Sequence, residues 1–238
     1  MKLALIGYGK MGKAIEAIAL QRGHKIVATI DQPNLDDFTK EKLAVADVAI
    51  EFTSPHSAYK NVKKCLSFGV PVVCGSTGWT DKLDELKQFN NEQQGGFMYS
   101  SNYSIGVNIF FEINKRLAAL MAPHDMYEIS IKEIHHTQKQ DAPSGTAISL
   151  AEQVLKEIPR KKQWVNNSSS KPEDLEILSF RINPAPGTHY VKYFSEIDYI
   201  EIIHAAHNRT GFATGAVLAA EFLKGKKGFF TMKDVLGL

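Results

Sequence analysis

Cysteine is scarce in this chain of 238 residues, which contains only Cys65 and Cys74. Two cysteines that are not spaced as a C-x-x-C pair exclude a disulfide framework and a zinc knuckle, and they predict a reduced, cytoplasmic protein. Charge of one sign is not in excess either, because 28 lysines and arginines oppose 26 acidic residues for a net charge of +2. A balance this close argues against a nucleic-acid partner.

Long hydrophobic runs are also missing from the sequence. No segment approaches the roughly 18 apolar residues of a membrane span, so we predict no membrane partner and a soluble globular protein. The apolar opening of the chain ends at Gly7 without a small-residue cleavage site, and it therefore does not predict a secretion signal. With 44% apolar residues, the chain is long enough to bury a large core without disulfide bonds.

The first hundred residues alternate short apolar runs with longer amphipathic ones, which is typical of βαβ units and a parallel sheet. The predicted strands are Lys2–Ile6, Ile26–Ile30, Asp47–Phe52, Val70–Cys74 and Phe97–Tyr99, and the predicted helices are Lys10–Gln21, Ser57–Ser67 and Asp81–Asn91. We therefore predict an α/β protein that begins with a Rossmann-type doubly wound parallel sheet.

The pattern changes after about Tyr103. A long helix is predicted over Ile105–Met121, with one apolar face formed by Ile109, Ile113, Leu117 and Leu120. The later predictions are strands over Tyr127–Ile134, Leu175–Ile182, Thr188–Phe194 and Tyr199–Ala205, helices over Ser144–Ile158 and Ala213–Leu223, and a surface loop of low order over Arg160–Pro172. This half of the chain predicts a smaller α+β domain with an open mixed sheet.

The segment Gly7-Tyr8-Gly9-Lys10-Met11-Gly12 matches G-x-G-x-x-G between a predicted strand and a predicted helix. In that setting, the glycines permit a tight turn, close approach of the backbone to a pyrophosphate, and close helix–strand packing. Asp31 follows the second strand, where a carboxylate can accept hydrogen bonds from ribose hydroxyls. We therefore predict a dinucleotide site; the alternative is a tight structural turn.

The densest group of chemically active side chains lies in the segment 133–147, which reads E-I-H-H-T-Q-K-Q-D-A-P-S-G-T-A. His135 can exchange protons near neutral pH, and Lys139 can donate a proton or pair with a carboxylate. Ser144 suits the N-cap of the following helix, which leaves the N–H groups of Gly145 and Thr146 free for an anion such as a carboxylate.

Other interpretations of this segment remain open. A metal site could be built from His135, His136 and Asp141, but adjacent histidines on a strand point to opposite faces, and we predict no metal. A nucleophilic role for Ser144 is disfavoured because no G-x-S-x-G elbow surrounds it. A solvated polar loop without catalytic function is the remaining alternative.

The same segment resembles the central motif of the 4-hydroxy-tetrahydrodipicolinate reductase family, also called dihydrodipicolinate reductases. The resemblance rests on Glu133, His135, His136, Lys139, Asp141 and the run Pro143–Ala147. It extends to the glycine-rich segment and to Phe52–Thr53, Gly75–Gly78, Ser101–Asn108, His204–Arg209, Phe212–Ala216 and Gly228–Leu236. It therefore spans nearly the whole chain.

The resemblance implies an NAD(P)H-dependent reductase that converts 4-hydroxy-tetrahydrodipicolinate to tetrahydrodipicolinate with loss of water, in lysine biosynthesis through diaminopimelate. It implies proton transfer by His135 and Lys139. The implied substrate-binding residues are His136, Gly145 and Thr146. We predict that Ser144, at the start of the same helix, and Arg209, as a positive charge, also bind the substrate. The implied cofactor-binding residues are Gly7, Tyr8, Gly9, Lys10, Met11, Gly12, Asp31, Phe52, Thr53, Gly75, Ser76, Thr77, Ser100, Ser101, Asn102 and Tyr103.

The resemblance also implies how the domains are divided. Residues 1–103, completed by 213–238, would bind the dinucleotide, and residues 104–212 would bind the substrate and form a homotetramer. The chain departs from the family pattern in a shorter region 158–181. It also has Tyr103 where Phe is common and Ala205 where Lys or Arg is usual.

The cofactor is predicted to be NADH in preference to NADPH. A carboxylate at Asp31 repels a 2′-phosphate, and no Lys or Arg stands beside it, although Lys10 or Lys13 could reach a phosphate. Two other functions are compatible with the glycine-rich segment. One is a dinucleotide-sensing regulator, and the other is a two-domain dehydrogenase that acts on a small amino or keto acid.

Overall fold

The computed structural model describes residues 1–208 and 210–238, which form two compact units. The first unit comprises Met1–Asn108 and Arg209–Leu238, and the second comprises Ile109–Asn208. None of the helices in the described ranges is both long and apolar enough to span a membrane.

The described chain contains eleven strands and eight α-helices. The strands are β1 (Lys2–Ile6), β2 (Lys25–Ile30), β3 (Val48–Glu51), β4 (Val72–Cys74), β5 (Gly96–Tyr99), β6 (Glu128–His135), β7 (Gln163–Val165), β8 (Asp174–Arg181), β9 (Gly187–Phe194), β10 (Tyr199–Ala206) and β11 (Gly228–Phe230). The helices are α1 (Lys10–Gln21), α2 (Lys40–Leu43), α3 (Pro55–Ser67), α4 (Leu83–Glu92), α5 (Ile105–Met121), α6 (Gly145–Glu157), α7 (Thr210–Leu223) and α8 (Met232–Leu236).

The first unit is built on a six-stranded sheet in the order β11-β5-β4-β3-β1-β2, and every neighbouring pair is parallel. Both faces are buried, which is why its strands are almost wholly apolar. In β1, Leu3 and Leu5 face the core formed with α1 and α7, whereas Ala4 and Ile6 face the core formed with α3 and α4. The predicted doubly wound sheet is confirmed.

The second unit is built on a five-stranded sheet in the order β10-β9-β6-β8-β7. β6, β7 and β8 are parallel, and β9 is antiparallel to β6 and to β10, so the predicted mixed sheet is also confirmed. Helices α5 and α6 share one hydrophobic core with this sheet. The region predicted as a surface loop contains the short strand β7, which is too brief to produce an alternating pattern in the sequence.

Helix α5 has the predicted bounds but carries apolar residues on two faces. Phe110 and Ala118 belong to the core of the second unit. Ile109, Ile113 and Leu120, which the spacing placed on one face, are 42%, 47% and 54% exposed. The helical period was therefore predicted correctly, but the sequence did not indicate which of the two faces would pack against the sheet.

Tyr103, which departs from the family pattern, is buried in the first unit. Its hydroxyl donates a hydrogen bond of 2.8 Å to the carbonyl oxygen of Cys74 at the end of β4. Its ring packs against Phe52, with 5.7 Å between the ring centroids. The additional hydroxyl is thus accommodated by the backbone, and the side chain is 2% exposed.

We expect Tyr103→Phe to lower the free energy of unfolding by about 1 kcal/mol, because a buried hydrogen bond is lost while the ring still fills its space. The carbonyl of Cys74 also accepts a long hydrogen bond from the N–H of Ser100, so the substitution does not leave it without a donor. Urea unfolding of the full-length protein would measure the change. A loss above about 3 kcal/mol would show that the hydroxyl contributes more than this one bond.

Candidate active site

The glycine-rich segment follows β1 and opens α1. Gly7 has a φ of +93°, and a Cβ at this position would lie 2.1 Å from the carbonyl oxygen of Phe52. A side chain is therefore excluded both by the backbone conformation and by the approach of the neighbouring strand. Gly9 caps α1 without a side-chain hydrogen bond and has open space where a Cβ would be, so the first N–H groups of α1 are uncovered.

Asp31 stands directly after β2 and is fixed by the backbone around it. Its Oδ1 accepts a hydrogen bond of 2.9 Å from the N–H of Gln32, and its Oδ2 accepts one of 3.3 Å from the N–H of Tyr8. The second contact ties this carboxylate to the glycine-rich segment. Asn34 completes a capping box with the backbone of Asp31. The acceptor predicted for a ribose hydroxyl therefore lies at the predicted loop.

These residues line a cavity of about 390 Å³ in the first unit. Six of the predicted cofactor-binding residues contribute to it, namely Gly7, Tyr8, Gly9, Asp31, Phe52 and Thr53. Ser57 and Asn61 of α3 line it as well, and sequence reasoning missed both. Their signal was available, since they lie four residues apart on a helix that follows the end of β3.

The other predicted cofactor residues lie outside this cavity. Ser76 accepts a 2.8 Å hydrogen bond from the N–H of Thr53, and Gly75 donates one of 2.9 Å to the carbonyl of Glu51, so both adjoin the end of β3. Thr77, Ser100, Ser101 and Asn102 follow β4 or β5, at the same carboxyl edge of the sheet. Lys10 and Gly12 lie on α1, and Met11 packs against the core.

The observed features fit a nicotinamide dinucleotide. A cradle without side chains meets an uncovered helix N-terminus, which suits a pyrophosphate, and a fixed carboxylate lies beside it. These residues would hold such a cofactor by backbone N–H groups and by hydrogen bonds to ribose.

The second group of predicted residues begins on β6, whose residues alternate between buried and partly exposed. Glu133 and His135 are two residues apart and therefore point to the same face of the sheet, where they are 0% and 7% exposed. His136 follows the strand and is half-buried. The two adjacent histidines thus differ in burial.

Glu133 lies at the centre of this site. Its Oε1 accepts hydrogen bonds from the N–H of Ser144 at 3.0 Å and from Arg181 at 3.1 Å. Its Oε2 lies 3.3 Å from Nδ1 of His135 and 3.7 Å from Nε2 of His189. Burial favours the neutral acid, but the nearby His135 ring and the hydrogen bond from Ser144 outweigh it and hold the pKa of Glu133 well below its usual value.

His189, on the neighbouring strand β9, is a neutral imidazole. Burial, with His135 nearby, lowers the pKa of His189 to about 3. Its ring packs edge-on against that of His135, with centroids 5.1 Å apart, and its Nε2 lies 3.1 Å from the hydroxyl of Ser144. The site therefore carries one fixed negative charge on Glu133 and no positive charge on His189 at neutral pH.

The start of α6 forms the other wall of the site. Ser144 is the N-cap, as predicted, and its hydroxyl accepts a 3.2 Å hydrogen bond from the N–H of Ala147. Within the described residues, the N–H groups of Gly145 and Thr146 have no acceptor. Gly145 also has open space where a side chain would be, so an anion can approach these donors.

Lys139 lies in the loop between β6 and α6. Its ammonium donates 2.7 Å hydrogen bonds to both carboxylate oxygens of Asp141. Arg181 holds the same loop, because its guanidinium donates to the carbonyl oxygens of Lys139 and Asp141 as well as to Glu133. Arg209, the remaining predicted substrate-binding residue, lies outside the described residues.

The metal-site alternative takes a different form in the structure. In the described part of the chain, the side chains whose ligand atoms lie within 4.8 Å of one another are Glu133, His135 and His189, rather than the set considered from the sequence. The guanidinium of Arg181 already compensates the charge of Glu133, and a positive group at 3.1 Å opposes a second cation there. The hydroxyl of Ser144 is engaged at the helix start, which does not favour a nucleophilic role.

Two comparisons with protein-family models cover almost the whole chain. Residues 1–103 match the model described as dihydrodipicolinate reductase, N-terminus, and residues 106–236 match the one described as dihydrodipicolinate reductase, C-terminus. The chain belongs to the dihydrodipicolinate reductase family. This confirms the resemblance found in the sequence.

Relatives in this family differ in how closely they match. The 4-hydroxy-tetrahydrodipicolinate reductase of Christiangramia forsetii is 47% identical over 99% of this chain and 98% of its own length. The protein of that name in Methanosarcina barkeri is 37% identical over 87% of this chain and 79% of its own.

Solved structures show the same fold. A dipicolinate-bound dihydrodipicolinate reductase from Paenisporosarcina sp. TG-14 has a TM-score of 0.77 at 24% identity, and the match covers 97% of each chain. An amine dehydrogenase from Mycobacterium smegmatis has a TM-score of 0.62 at 10% identity, with 98% of this chain and 95% of the other covered. At such identities the likeness concerns the fold alone.

Sequence reasoning missed three polar residues that surround His135 in this member of the dihydrodipicolinate reductase family. Glu133 was part of the recognised motif but received no role, and Arg181 and His189 were not considered. A signal did exist for Glu133, since an acid two residues before a histidine on a strand shares its face. Arg181 and His189 become neighbours only through the strand register, which pairs His135 with Arg181 and Glu133 with His189.

His189 predicts a pH dependence of stability. Its pKa is lowered from 6.5 in the unfolded chain to about 3 in the fold, so its contribution is complete above pH 6.5 and is lost as the pH falls. Lowering the pH from 7 to 5 should therefore reduce the contribution of His189 to the free energy of unfolding by about 2 kcal/mol. Glu133 stays ionised in both states over most of this range and adds little to the slope.

The measurement is urea unfolding at pH 7 and pH 5 for the wild type and for His189→Gln. Between these two pH values, the free energy of unfolding of the variant should fall by about 2 kcal/mol less than that of the wild type. The matched control is His56→Gln on the exposed surface of α3, which should retain the wild-type slope. Equal slopes in the wild type and His189→Gln would mean that His189 is not held neutral by the fold.

Proposed function

We propose that this chain reduces 4-hydroxy-tetrahydrodipicolinate to tetrahydrodipicolinate, with loss of water and oxidation of NAD(P)H, in lysine biosynthesis through diaminopimelate. The observation that carries the proposal is that one buried carboxylate, Glu133, contacts both His135 and the start of α6. A proton-exchanging group and an anion-binding helix start are thereby held in one site. Relatives that bear the name of this activity match the chain over nearly its full length.

The two parts of the chain divide this work. Residues 1–103, completed by 213–238, bind the cofactor, and residues 104–212 bind the substrate and mediate oligomerisation. The cavity beside the glycine-rich segment supports the first assignment, and the pairing of β11 with β5 supports the contribution of the last segment.

The substrate is a cyclic dicarboxylate, and the site offers donors for a carboxylate. The free N–H groups of Gly145 and Thr146 bind one carboxylate at the start of α6, with Ser144 as the cap. Lys139, His136 and Arg209 add positive charge for the second carboxylate. The substrate analogue named with the Paenisporosarcina reductase, dipicolinate, is a flat dicarboxylate of the same class.

The proton-transfer groups are His135 and Lys139. The bound nicotinamide cofactor supplies a hydride to the unsaturated ring that remains once water has left. A proton completes the reduction, and we assign its delivery to His135, whose Nδ1 lies 3.3 Å from the carboxylate of Glu133. Lys139, held by Asp141, is the second candidate donor.

We expect His135→Gln and Lys139→Ala each to lower turnover of the cyclic substrate by at least tenfold, because a positioned acid typically contributes ~10²–10⁴ in rate. The affinity for NADH should stay near that of the wild type, since neither residue belongs to the first unit. Loss of NADH absorbance with freshly generated substrate measures turnover, and fluorescence titration measures NADH binding.

The control for these variants is Lys132→Ala, an exchange of a lysine elsewhere on β6 that the proposal gives no role. Full turnover in His135→Gln would remove that residue from the mechanism. Absence of substrate-dependent NADH loss in the wild type would instead favour the regulator, or a dehydrogenase with another substrate.

The cofactor preference depends on Asp31, and we propose that NADH is preferred over NADPH. The Asp31 carboxylate is fixed beside the glycine-rich segment and accepts hydrogen bonds from ribose hydroxyls, whereas it repels a 2′-phosphate. Two basic residues, Lys10 and Lys13, are on α1, where the ammonium of Lys13 lies 5.8 Å from the ring centroid of Tyr8. They weaken the preference without reversing it.

The expected preference is about five- to thirtyfold in kcat/KM, or about 1–2 kcal/mol. The two values should be compared in buffer of low ionic strength, where attraction between lysine and phosphate is least screened. NADPH ahead of NADH, or equal values, would show that the lysines outweigh Asp31.

We further propose that the enzyme is a cytoplasmic homotetramer assembled through the sheet of the second unit. Support for the assembly comes from β10, the edge strand of that sheet, and from the turn before it. Ile197 and Tyr199 are 74% and 62% exposed, and Ile203 is 53% exposed. Apolar side chains this exposed on an edge strand are typical of an association surface.

A further inference from the structure

Glu133 has one carboxylate oxygen whose role the proposed mechanism does not explain. Oε1 is used by Ser144 and Arg181, whereas Oε2 has no hydrogen-bond partner among the described residues. Nδ1 of His135 is equally buried and unpartnered within the described part, and it lies 3.3 Å from Oε2. An N–H on this nitrogen satisfies both atoms after a small rotation of the ring, whereas two facing lone pairs repel each other.

The surrounding charges favour the same arrangement. Arg181 on β8 lies 3.1 Å from the carboxylate, and its positive charge favours the ionised form. His189 on β9 and His204 on β10 face this region across the sheet. Burial lowers the pKa of both, so neither forms an ion pair with Glu133. Lys139 donates to Asp141. His135 is therefore the group that faces the free oxygen of Glu133.

We propose that Glu133 is a positioning residue that fixes the ring proton of His135 on Nδ1 while its other oxygen fixes the start of α6. This rests on the proposed function, in which His135 delivers a proton to the reduced ring. One carboxylate then sets both the tautomer of the proton donor and the place of the helix start that binds the substrate carboxylate.

The other ring nitrogen of His135 is the one left for the substrate. Nε2 lies beside Gly187, where a Cβ would be only 2.9 Å away, so any other residue would cover this edge of the ring. When the protonated ring gives up its Nε2 proton, the remaining proton is already on Nδ1, facing Glu133. The donor needs no reorientation between turnovers.

The tautomer can be measured in the unmodified protein, without substrate or cofactor. Long-range ¹H–¹⁵N correlation spectra of the full-length chain distinguish Nδ1–H from Nε2–H histidines at a pH where the ring is neutral. His135→Gln assigns the signal by removing it. We expect His135 to be Nδ1–H, whereas free histidine favours Nε2–H. An Nε2–H signal for His135 would overturn the proposal.

The second arm uses Glu133→Gln. This variant keeps an acceptor oxygen for Ser144 and Arg181 but places an uncharged NH₂ group beside His135. The neutral ring should change to Nε2–H, and kcat should fall at least tenfold while KM for the cyclic substrate stays within about twofold. The matched control is Glu128→Gln on the same strand, whose carboxylate pairs with Lys161 and is half exposed. It should keep the wild-type tautomer and turnover.

The outcomes of the two arms are distinguishable. If Glu133→Gln keeps both the Nδ1–H tautomer and full turnover, Glu133 does not position His135. If this variant does not fold, the wild-type tautomer alone decides. If the wild type shows Nδ1–H but does not turn over the cyclic substrate, the proposed function fails while the positioning role of Glu133 stands.

Discussion

An ionised carboxylate buried without compensation would cost the fold several kcal/mol, and the second unit is arranged so that Glu133 avoids this cost. Arg181 supplies the opposite charge, and the N–H of Ser144 supplies a hydrogen bond. These partners come from β8 and from the start of α6, which are therefore held against β6 by the same group. Removing Arg181 would leave the carboxylate as a buried charge without an opposite charge beside it.

The first unit depends on a constraint of a different kind, the closeness of backbone segments. Gly7 lies where any side chain would collide with the carbonyl of Phe52. Because the parallel strands end at one edge, this tight turn, Asp31 and the segment after β3 converge there, and the described residues show no long-range ion pair between them. Packing and strand direction position the predicted cofactor-binding residues here, whereas charge pairing positions the polar residues of the second unit.

The difference explains which parts of the molecule the sequence could predict. Helices α1 and α5 begin and end at the predicted residues, because their periodicity is long and their starts follow recognisable turns. The glycine-rich segment and Asp31 were predictable for a similar reason, since their spacing is local. The strand β7 was not, because three residues carry no usable period.

The partners of Glu133 illustrate the limit. Ser144 is 11 residues away in the chain and belongs to the same motif, but Arg181 is 48 residues away on another strand. Its contact depends on the register of β6 against β8, which a shift of one residue would abolish. A single sequence shows the alternation of buried and exposed residues along each strand, but it does not show the register between two strands. The face of α5 that packs on the sheet is unpredictable on similar grounds, since both faces are apolar.

The path of the chain between the two units also affects how the protein is made. The second unit is continuous in sequence, whereas the first takes β11, α7 and α8 from the end of the chain. During translation, β5 leaves the ribosome long before β11. The apolar surface that α7 covers also stays exposed until that helix has been synthesised. The N-terminal part is thus synthesised first but can be completed only after the second unit has been made. Until α7 and β11 have left the ribosome, the nascent chain exposes an open strand edge and an uncovered core, a surface that chaperones can bind.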